Sequence, residues 1–330
     1  MDDSLTFTII IPVKPAGESR ALDRLRKSVD YPPERFEVLV AEGRRPSRQR
    51  NLAAAEANGD VLYFLDDDSL TEPDFLRRAA RHFSDSRVAA VGGPSLTPVT
   101  DTVFQRSAGI ALSSFLGGGG ARNRYRKTGV VRPTSERELI LCNLAMRKEI
   151  FLTMGGLDER LYPNEENELL DRITQSGLRL FHDPDLAVHR SQRPTLGAFC
   201  RQFFGYGRGR GEQTRIAGVR SVIDFLPSLF LAYLLALPVV HTCGSLLPLC
   251  AYGLAVLASS LAGGARQRLL HVIPWLMILF PALHICYGAG FVKGLLSPRF
   301  ARNKDIAADV TLRCAKALDT PWGNCFREDL

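Results

Sequence analysis

Charge is almost absent from one long stretch of this chain. Between Phe225 and Val292 the only formally charged side chains are Arg266 and Arg268, although the 330 residues as a whole are 23% Asp, Glu, Lys and Arg and carry a net charge of +7. That division excludes a simple soluble enzyme, and a hydrophobic content of 45% excludes a disordered chain. Paired cysteines are missing too. The seven present (Cys142, Cys200, Cys243, Cys250, Cys286, Cys314 and Cys325) contain no Cys-x-x-Cys spacing and no Cys/His spacing that suits zinc. A disulfide-stapled fold is therefore excluded, and an odd, scattered set points to a reducing compartment for the polar part. The N-terminus, Met-Asp-Asp, has no basic n-region. Its apolar run from Phe7 to Val13 is short and β-branched, so it reads as a strand and not as a signal peptide.

What is present first is an alternation of periods. Residues 6–13 (TFTIIIPV) form a continuous β-branched run, as expected of a strand buried on both faces, and 36–40 (FEVLV), 61–65 (VLYFL) and 88–91 read as further strands. Between them, 20–29, 49–57 and 69–83 have helical spacing, the second ending at Asn58-Gly59. Short β-α-β links predict an α/β fold with a doubly wound, mostly parallel sheet, in which ligands bind at the carboxyl ends of the strands. Residues 97–140 are less regular. Gly117-Gly118-Gly119-Gly120 followed by Arg122, Arg124, Arg126 and Lys127 reads as a mobile loop beside a basic run. Sheet-like order returns at 139–146, and an acidic helix is expected over 164–171.

The expected organisation is a nucleotide-binding domain over 1–205, a basic connector over 206–222 (Arg208, Arg210, Arg215, Arg220), an apolar block over 223–296 and a tail over 297–330. The apolar block holds about three segments, 225–242, 245–262 and 269–292, each near the ~20 residues that cross a hydrocarbon core. Soluble helices keep a polar face and these have none, which favours a multi-pass membrane region. The positive-inside rule puts the connector and Arg266/Arg268 in the cytoplasm, yet three crossings would put Lys293, Arg299, Arg302 and Lys304 outside. Either the third segment is broken, at Pro274 or Pro281, or the count is not three.

Two acidic groups carry the chemistry. Asp66-Asp67-Asp68 directly follows a strand. Asp66 and Asp68 suit a divalent metal whose other positions go to phosphate and water, while an acidic turn before a helix is the alternative. Glu165, Glu166 and Glu168 exceed what a helix start needs, and clustering raises a carboxyl pKa toward that of a general base; a solvated acidic helix start is the alternative.

Taken together, TFTIIIPV, FEVLVAEG, SRQRNLAAAEANGDVLYFLDDDS and NLAMRKEIFLTMGGLDERLYPNEENELLDRITQSGLRLFHDPDLAVHR resemble the family-2 inverting glycosyltransferases of GT-A fold. The likeness covers about residues 5–207 and is strongest to membrane-attached bacterial members that build exopolysaccharide or lipid-linked glycans. The later His284-Ile-Cys-Tyr287-Gly-Ala-Gly290-Phe also looks like the membrane part of such enzymes. It implies that Pro12, Glu42, Arg50, Asp66 and Asp67 line the nucleotide sugar. Asp68, Asp66 and His189 would hold Mg²⁺ or Mn²⁺, and Glu166, with Glu165 beside it, would be the base. Ala41-Glu42 replaces the family's Asp-Asp, and Glu166 replaces an Asp. Gln202-Phe-Phe-Gly205-Tyr206 lacks the Arg-Trp of processive synthases, which implies transfer of one sugar.

The implied partners are a UDP- or GDP-sugar, a polyprenyl-diphosphate type acceptor and membrane lipids. The implied location is the bacterial inner membrane with a cytoplasmic catalytic domain. Arg122, Arg124, Arg208 and Arg210 suit an acceptor diphosphate or anionic headgroups, although an ordinary positive-inside anchor explains the 208–220 group equally well. No nucleic-acid motif accompanies the basic charge. A sugar-phosphate nucleotidyltransferase and a non-catalytic membrane scaffold remain as alternatives.

Overall fold

Strands that are apolar on both of their faces must be covered on both. In the computed structural model, which describes residues 5–240, 242, 244–301, 310–320 and 322, β1 (Phe7–Val13), β2 (Phe36–Glu42) and β3 (Val61–Leu65) are buried almost throughout. The other strands are β4 (Leu70–Thr71), β5 (Val88–Gly92), β6 (Ser95–Leu96), β7 (Arg132–Thr134), β8 (Asn143–Arg147), β9 (Arg179–His182), β10 (Val188–His189) and β11 (Thr311–Lys316). The helices are α1 (Arg20–Ser28), α2 (Pro46–Glu56), α3 (Phe75–Ala80), α4 (Val103–Ser113), α5 (Phe115–Gly118), α6 (Lys148–Thr153), α7 (Glu165–Gln175), α8 (Leu196–Ala217), α9 (Leu226–Ala236), α10 (Leu247–Gln267) and α11 (Ile273–Leu296).

Eight strands form one sheet in the order β11-β2-β1-β3-β8-β5-β9-β7, and β4, β10 and β6 form a small second sheet. β1 pairs in parallel with β2 and β3, and β5 with β9. β8 runs antiparallel between β3 and β5, so β2, β1, β3, β5 and β9 all point one way. The mostly parallel sheet expected from the sequence is therefore present, with antiparallel edges at β7 and β11. Because side chains alternate along a strand, β1 feeds two cores. Ile9 and Ile11 pack with Leu22, Leu25, Phe75 and Leu76 on one face; Ile10 packs with Ala53, Ala54, Phe151 and Leu169 on the other.

By density of contacts the chain falls into two units, one from 1–96, 126–190 and 305–330, the other from 97–125 and 191–304. The first holds the sheet, and it includes β11 from the segment predicted as a tail: β11 pairs antiparallel with β2, Thr311 opposite Glu42. The second holds α4, α5 and α8–α11. Its glycine run is not a loop. Gly117 and Gly118 lie in α5, where a Cβ would stand 2.3 Å from the Ala111 carbonyl oxygen and 1.9 Å from that of Leu112. These glycines permit close approach.

Among the described residues, two of the three predicted apolar segments contain helices long and apolar enough to cross a membrane, Leu247–Gln267 and Leu270–Leu296; Val222–Ala236 is shorter. α8 and α11 meet backbone to backbone. A Cβ on Gly207 would stand 2.0 Å from the Tyr287 carbonyl oxygen. Alanine has about 1 kcal/mol better helix propensity than glycine, but overpacking against rigid backbone costs about 1–3 kcal/mol or more. Gly207→Ala should therefore lower the melting temperature of the detergent-purified protein. A rise in thermal denaturation scans would refute the close approach.

Candidate active site

A carboxylate pair at the end of a buried strand is unfavourable unless cations face it. β3 runs into Asp66, Asp67 and Asp68, and the turn that follows is closed by the Ser69 amide donating to the Asp66 carbonyl at 3.1 Å. Ser69 is fully buried, and its hydroxyl donates to the Cys142 carbonyl at 3.0 Å, anchoring the turn just before β8. Two arginines reach the aspartates from separate elements. Arg50, buried on α2, places Nη2 2.7 Å from Asp66 Oδ1 and Nη1 3.3 Å from Glu165 Oε1. Arg190, just after β10, places Nη2 3.1 Å from Asp66 Oδ2 and Nε 2.6 Å from Asp68 Oδ1. Burial raises the Asp67 carboxyl above its ordinary value, and the flanking Asp68 and Asp66 charges add to this.

The acidic helix start divides into two roles. Glu168 forms a two-pronged ion pair with Arg172, whose guanidinium also donates to the carbonyls of Met154 and Gly156. That acid fixes the turn before α7. Glu165 and Glu166 are the other two, both buried at the first turn of the helix, after a cis Tyr162–Pro163 bond and Asn164 at φ 92°. Burial, reinforced by the neighbouring Glu166 charge and opposed by Arg50, pushes the Glu165 carboxyl up to about 8. Its Oε2 is buried without a hydrogen-bond partner among the described residues.

At the other end of the strand edge, Pro12 lies in buried β1 and Glu42 closes β2. Glu42 Oε1 accepts from the Ala16 amide at 2.9 Å, holding the loop after β1. Gln49 on α2 donates from Nε2 to the carbonyls of Val13 and Ala41, tying the two strand ends together.

Arg50, Asp66, Asp68 and Glu165 are thus brought together, and Arg190 joins them. His189, the third predicted metal ligand, is not seen to join them: its imidazole Nε2 lies 3.5 Å from Glu72 Oε1, and its side chain is 41% exposed. Among the described residues no group of three or more His, Cys, Asp or Glu side chains is arranged to hold a metal ion. The physical reason lies in β10, a two-residue strand on which neighbours point to opposite sides. With His189 turned toward Glu72, Arg190 faces the aspartates. The sequence signal was the His189-Arg190 pair itself, which does not say which member points inward.

Arg122, Arg124, Arg208 and Arg210 belong to the second unit. Arg122 donates to the Gly119 carbonyl and lies 5.6 Å from the Phe115 ring centroid. Arg124 lies in the 3₁₀ turn from Gly119 to Tyr125. Arg208 pairs with buried Glu212 at 3.1 Å, and Arg210 donates to Gln213 at 3.0 Å.

A mostly parallel sheet with a carboxylate turn at a strand end and buried acids opposite has its candidate site where open α/β sheets bind ligands, at the carboxyl ends of the strands. Residues 14–155 match the model of Glycosyl transferase family 2. The chain carries a family 2 glycosyltransferase domain. It is 27% identical to the succinoglycan biosynthesis protein ExoA of Rhizobium meliloti, over 90% of this chain and 98% of that one. It is 23% identical to a dolichyl N-acetyl-α-D-glucosaminyl phosphate 3-β-D-2,3-diacetamido-2,3-dideoxy-β-D-glucuronosyltransferase of Methanococcus voltae, over 80% and 79%. Among solved structures, the mannosyltransferase PcManGT of Pyrobaculum calidifontis, in complex with GDP-Man and Mn²⁺, shares the fold, with a TM-score of 0.52, 16% identity and coverage of 88% and 87%.

Two outcomes follow from this geometry. Arg190→Met should lower sugar transfer by about a hundredfold, the scale of one lost electrostatic contact at a reacting centre, while His189→Ala stays within a few-fold; a loss of only a few-fold in Arg190→Met would remove Arg190 from the site. The second concerns pH. A Glu165 carboxyl raised from 4.5 to about 8 binds its proton more tightly folded than unfolded. Its contribution to stability is complete below about pH 4.5 and is lost as pH rises through about 8. Glu165→Gln should therefore flatten the fall in melting temperature across that window, and an unchanged slope would disprove the shift.

Proposed function

We propose that this enzyme transfers a single sugar, with inversion, from a UDP- or GDP-sugar to a lipid-linked glycan acceptor at a membrane surface. The observation that carries the reading is the meeting of Asp66, Asp68 and Glu165 with Arg50 and Arg190 at the carboxyl end of β3. Support for a nucleotide sugar comes from PcManGT, described with GDP-Man. Support for a lipid-linked acceptor and for polysaccharide synthesis comes from the names of the Methanococcus and Rhizobium relatives.

The donor set fits a hard divalent ion. Asp66 and Asp68 offer carboxylate oxygens from one turn, fewer than a closed protein cage needs, which leaves positions for diphosphate and water. Mg²⁺ or Mn²⁺ held there would supply Lewis-acid stabilisation of the departing nucleoside diphosphate. The two arginines share the same task from the protein side. Arg50 and Arg190 neutralise the aspartates and present guanidinium donors to phosphate oxygens, which they match in geometry.

Glu166 takes the proton from the acceptor hydroxyl. That oxygen attacks the anomeric carbon from the face opposite the leaving group, one carbon–oxygen bond forms as the bond to the diphosphate breaks, and the configuration inverts. Glu165, buried and raised in pKa, keeps the pocket from carrying two full negative charges side by side. Glu42 and Gln49 hold the ends of β1 and β2 and the loop after β1.

Detergent-purified protein given Mn²⁺, a panel of sugar nucleotides and a lipid extract should release nucleoside diphosphate from one donor. Glu166→Gln should lose about 10²–10⁴-fold, the usual weight of a general base, and Asp68→Asn should lose activity with the fold intact by circular dichroism. Full activity in Glu166→Gln would dismiss that base. Release of pyrophosphate in place of nucleoside diphosphate would make the enzyme a nucleotidyltransferase.

A further inference from the structure

The two long apolar helices satisfy the length and composition of membrane crossings, yet their packing is that of a surface layer. α11 is 24 residues, or about 36 Å, against a hydrocarbon core of about 30 Å. It is buried at intervals along its whole length, from Leu276 to Gly294. Its first half packs on α4 and α5. Trp275 meets Phe104 edge to face at 5.1 Å, and His284 Nε2 is 3.0 Å from the Leu116 carbonyl oxygen. Its second half packs on α8 so closely that a Cβ on Gly290 would stand 2.0 Å from the Phe204 carbonyl oxygen, and one on Gly294 would stand 2.2 Å from that of Arg208. Both contacts advance by four residues in the same direction, so α8 and α11 run parallel.

Neither set of partners can follow α11 through a bilayer. The segment carrying α4 and α5 leaves the sheet after Leu96 and returns by Arg132. It contains Arg106, Arg122, Arg124, Arg126 and Lys127 and no run of ~20 apolar residues. It has no means of crossing and coming back, so it stays on the side where the chain arrives. α8 carries Arg201, Arg208, Arg210 and Arg215, together with Glu212, and a charge at hydrocarbon depth costs at least about 2.5–3.5 kcal/mol. Glu212 is fully buried between Arg208 and Arg299, which ties α8 to the residues just after α11. Both halves of α11 are therefore held on one side.

α10 is bound to the same layer. Tyr252 bonds His284 at 2.8 Å, and a Cβ on Gly264 would stand 2.7 Å from Ile273, so α10 runs antiparallel along α11. Past α11 the chain rejoins the sheet as β11, which requires an even number of crossings. Every junction of the apolar block is basic (Arg215 and Arg220, Arg266 and Arg268, Lys293 and Arg299) except the turn between α9 and α10. With no crossing, all these cations face one headgroup layer, and the conflict with the positive-inside rule disappears.

We propose that α9, α10 and α11 form a monotopic membrane-binding surface that enters a single anionic leaflet and does not span the bilayer. Large apolar side chains at Leu235 (71% exposed), Val239 (79%), Leu247 (69%) and Leu254 (68%) on and around the α9–α10 turn enter the acyl region. Arg266, Arg268 and Lys293 meet phosphate headgroups, while Arg299 stays paired with Glu212. The occupant is a lipid leaflet, because the exposed faces are continuous with helices whose composition suits hydrocarbon and whose ends carry cations. The inference rests on the membrane reading above but not on the sugar chemistry.

The test uses the wild-type chain in sealed bacterial membrane vesicles of both orientations, with trypsin added outside and fragments mapped by mass spectrometry. Cleavage within the sheet unit marks the face that carries it. Cutting after Arg266 or Arg268 from that face only is the expected result, and cutting from the opposite face overturns the proposal in favour of a two-helix crossing. Ser245→Cys, in the α9–α10 turn, is then probed with a membrane-impermeant maleimide and its labelled peptide identified; if neither arginine is cut, this result decides alone. Labelling from the face opposite the sheet overturns the proposal by showing that α9 and α10 cross, and no labelling from that face upholds it. Protein that does not float with the vesicles in a density gradient overturns the membrane reading itself, whatever the transferase assay gives.

Discussion

Carboxylates one residue apart at the end of a strand repel each other, and two unit charges about 4 Å apart interact with about 4 kcal/mol at an effective dielectric near 20. Asp66 and Asp68 impose that condition on the sheet unit, and much of its architecture answers it. Arg50 reaches Asp66 because α2 packs its small residues, Ala53 and Ala54, flat on β1 and β2. Arg190 reaches both aspartates because β10 is clamped between β4 and β6. The loop before β10 is held in turn by Asn143, which donates to the Leu186 carbonyl and accepts from the buried Tyr63 hydroxyl on β3 itself. The strand that presents the acids thus also positions the segment that neutralises them. Glu165 closes the circuit through Arg50, so a change at any one of these groups alters the charge felt by the others.

How much of this could be read beforehand depended on which physical signal each feature leaves in the sequence. Continuous β-branched runs placed β1, β2 and β3 almost to the residue, because central strands have no polar face to blur their ends. Helical spacing over 20–29 and 49–57 met α1 and α2 within a few residues at each end. The aspartate turn was legible as a turn closing an apolar strand, while the three acids alone fitted a metal site and a turn before a helix equally well. The direction of β8 was not legible: hydrophobic pattern records burial, and burial is the same for a parallel and an antiparallel neighbour. β11 was missed for a different reason. Its exposed and buried positions alternate weakly through Thr311, Arg313 and Lys316, and an edge strand needs only its partner's backbone to form.

The glycine run and the His189-Arg190 pair share one lesson. In both, residue type limited what was possible and the neighbours decided. Four glycines permit a hinge, but they equally permit a helical turn pressed against the carbonyls of α4, and the packing of α5 selects the second. His189 and Arg190 are each capable of serving an anionic site. The side of a short strand on which each falls is set by its pairing with Leu70 and Leu96, which no local pattern reveals.

Hydropathy has the same blindness for the second unit. It measures how much a helix prefers hydrocarbon to water and is silent on whether one face is already taken by protein. α11 has such a face, built from Gly288, Gly290 and Gly294, and glycine there contributes to packing without raising polarity. A helix bound in this way gains stabilisation from close backbone contact, with α8 at Gly290 and Gly294 and with α9 at Gly288. The arrangement also bears on charge. A nucleotide sugar carries a diphosphate that an anionic leaflet repels, and that repulsion decays over a Debye length of about 8 Å at physiological salt. If the apolar block meets an anionic leaflet as proposed, the arginine and lysine at its edges lower the leaflet's negative potential locally.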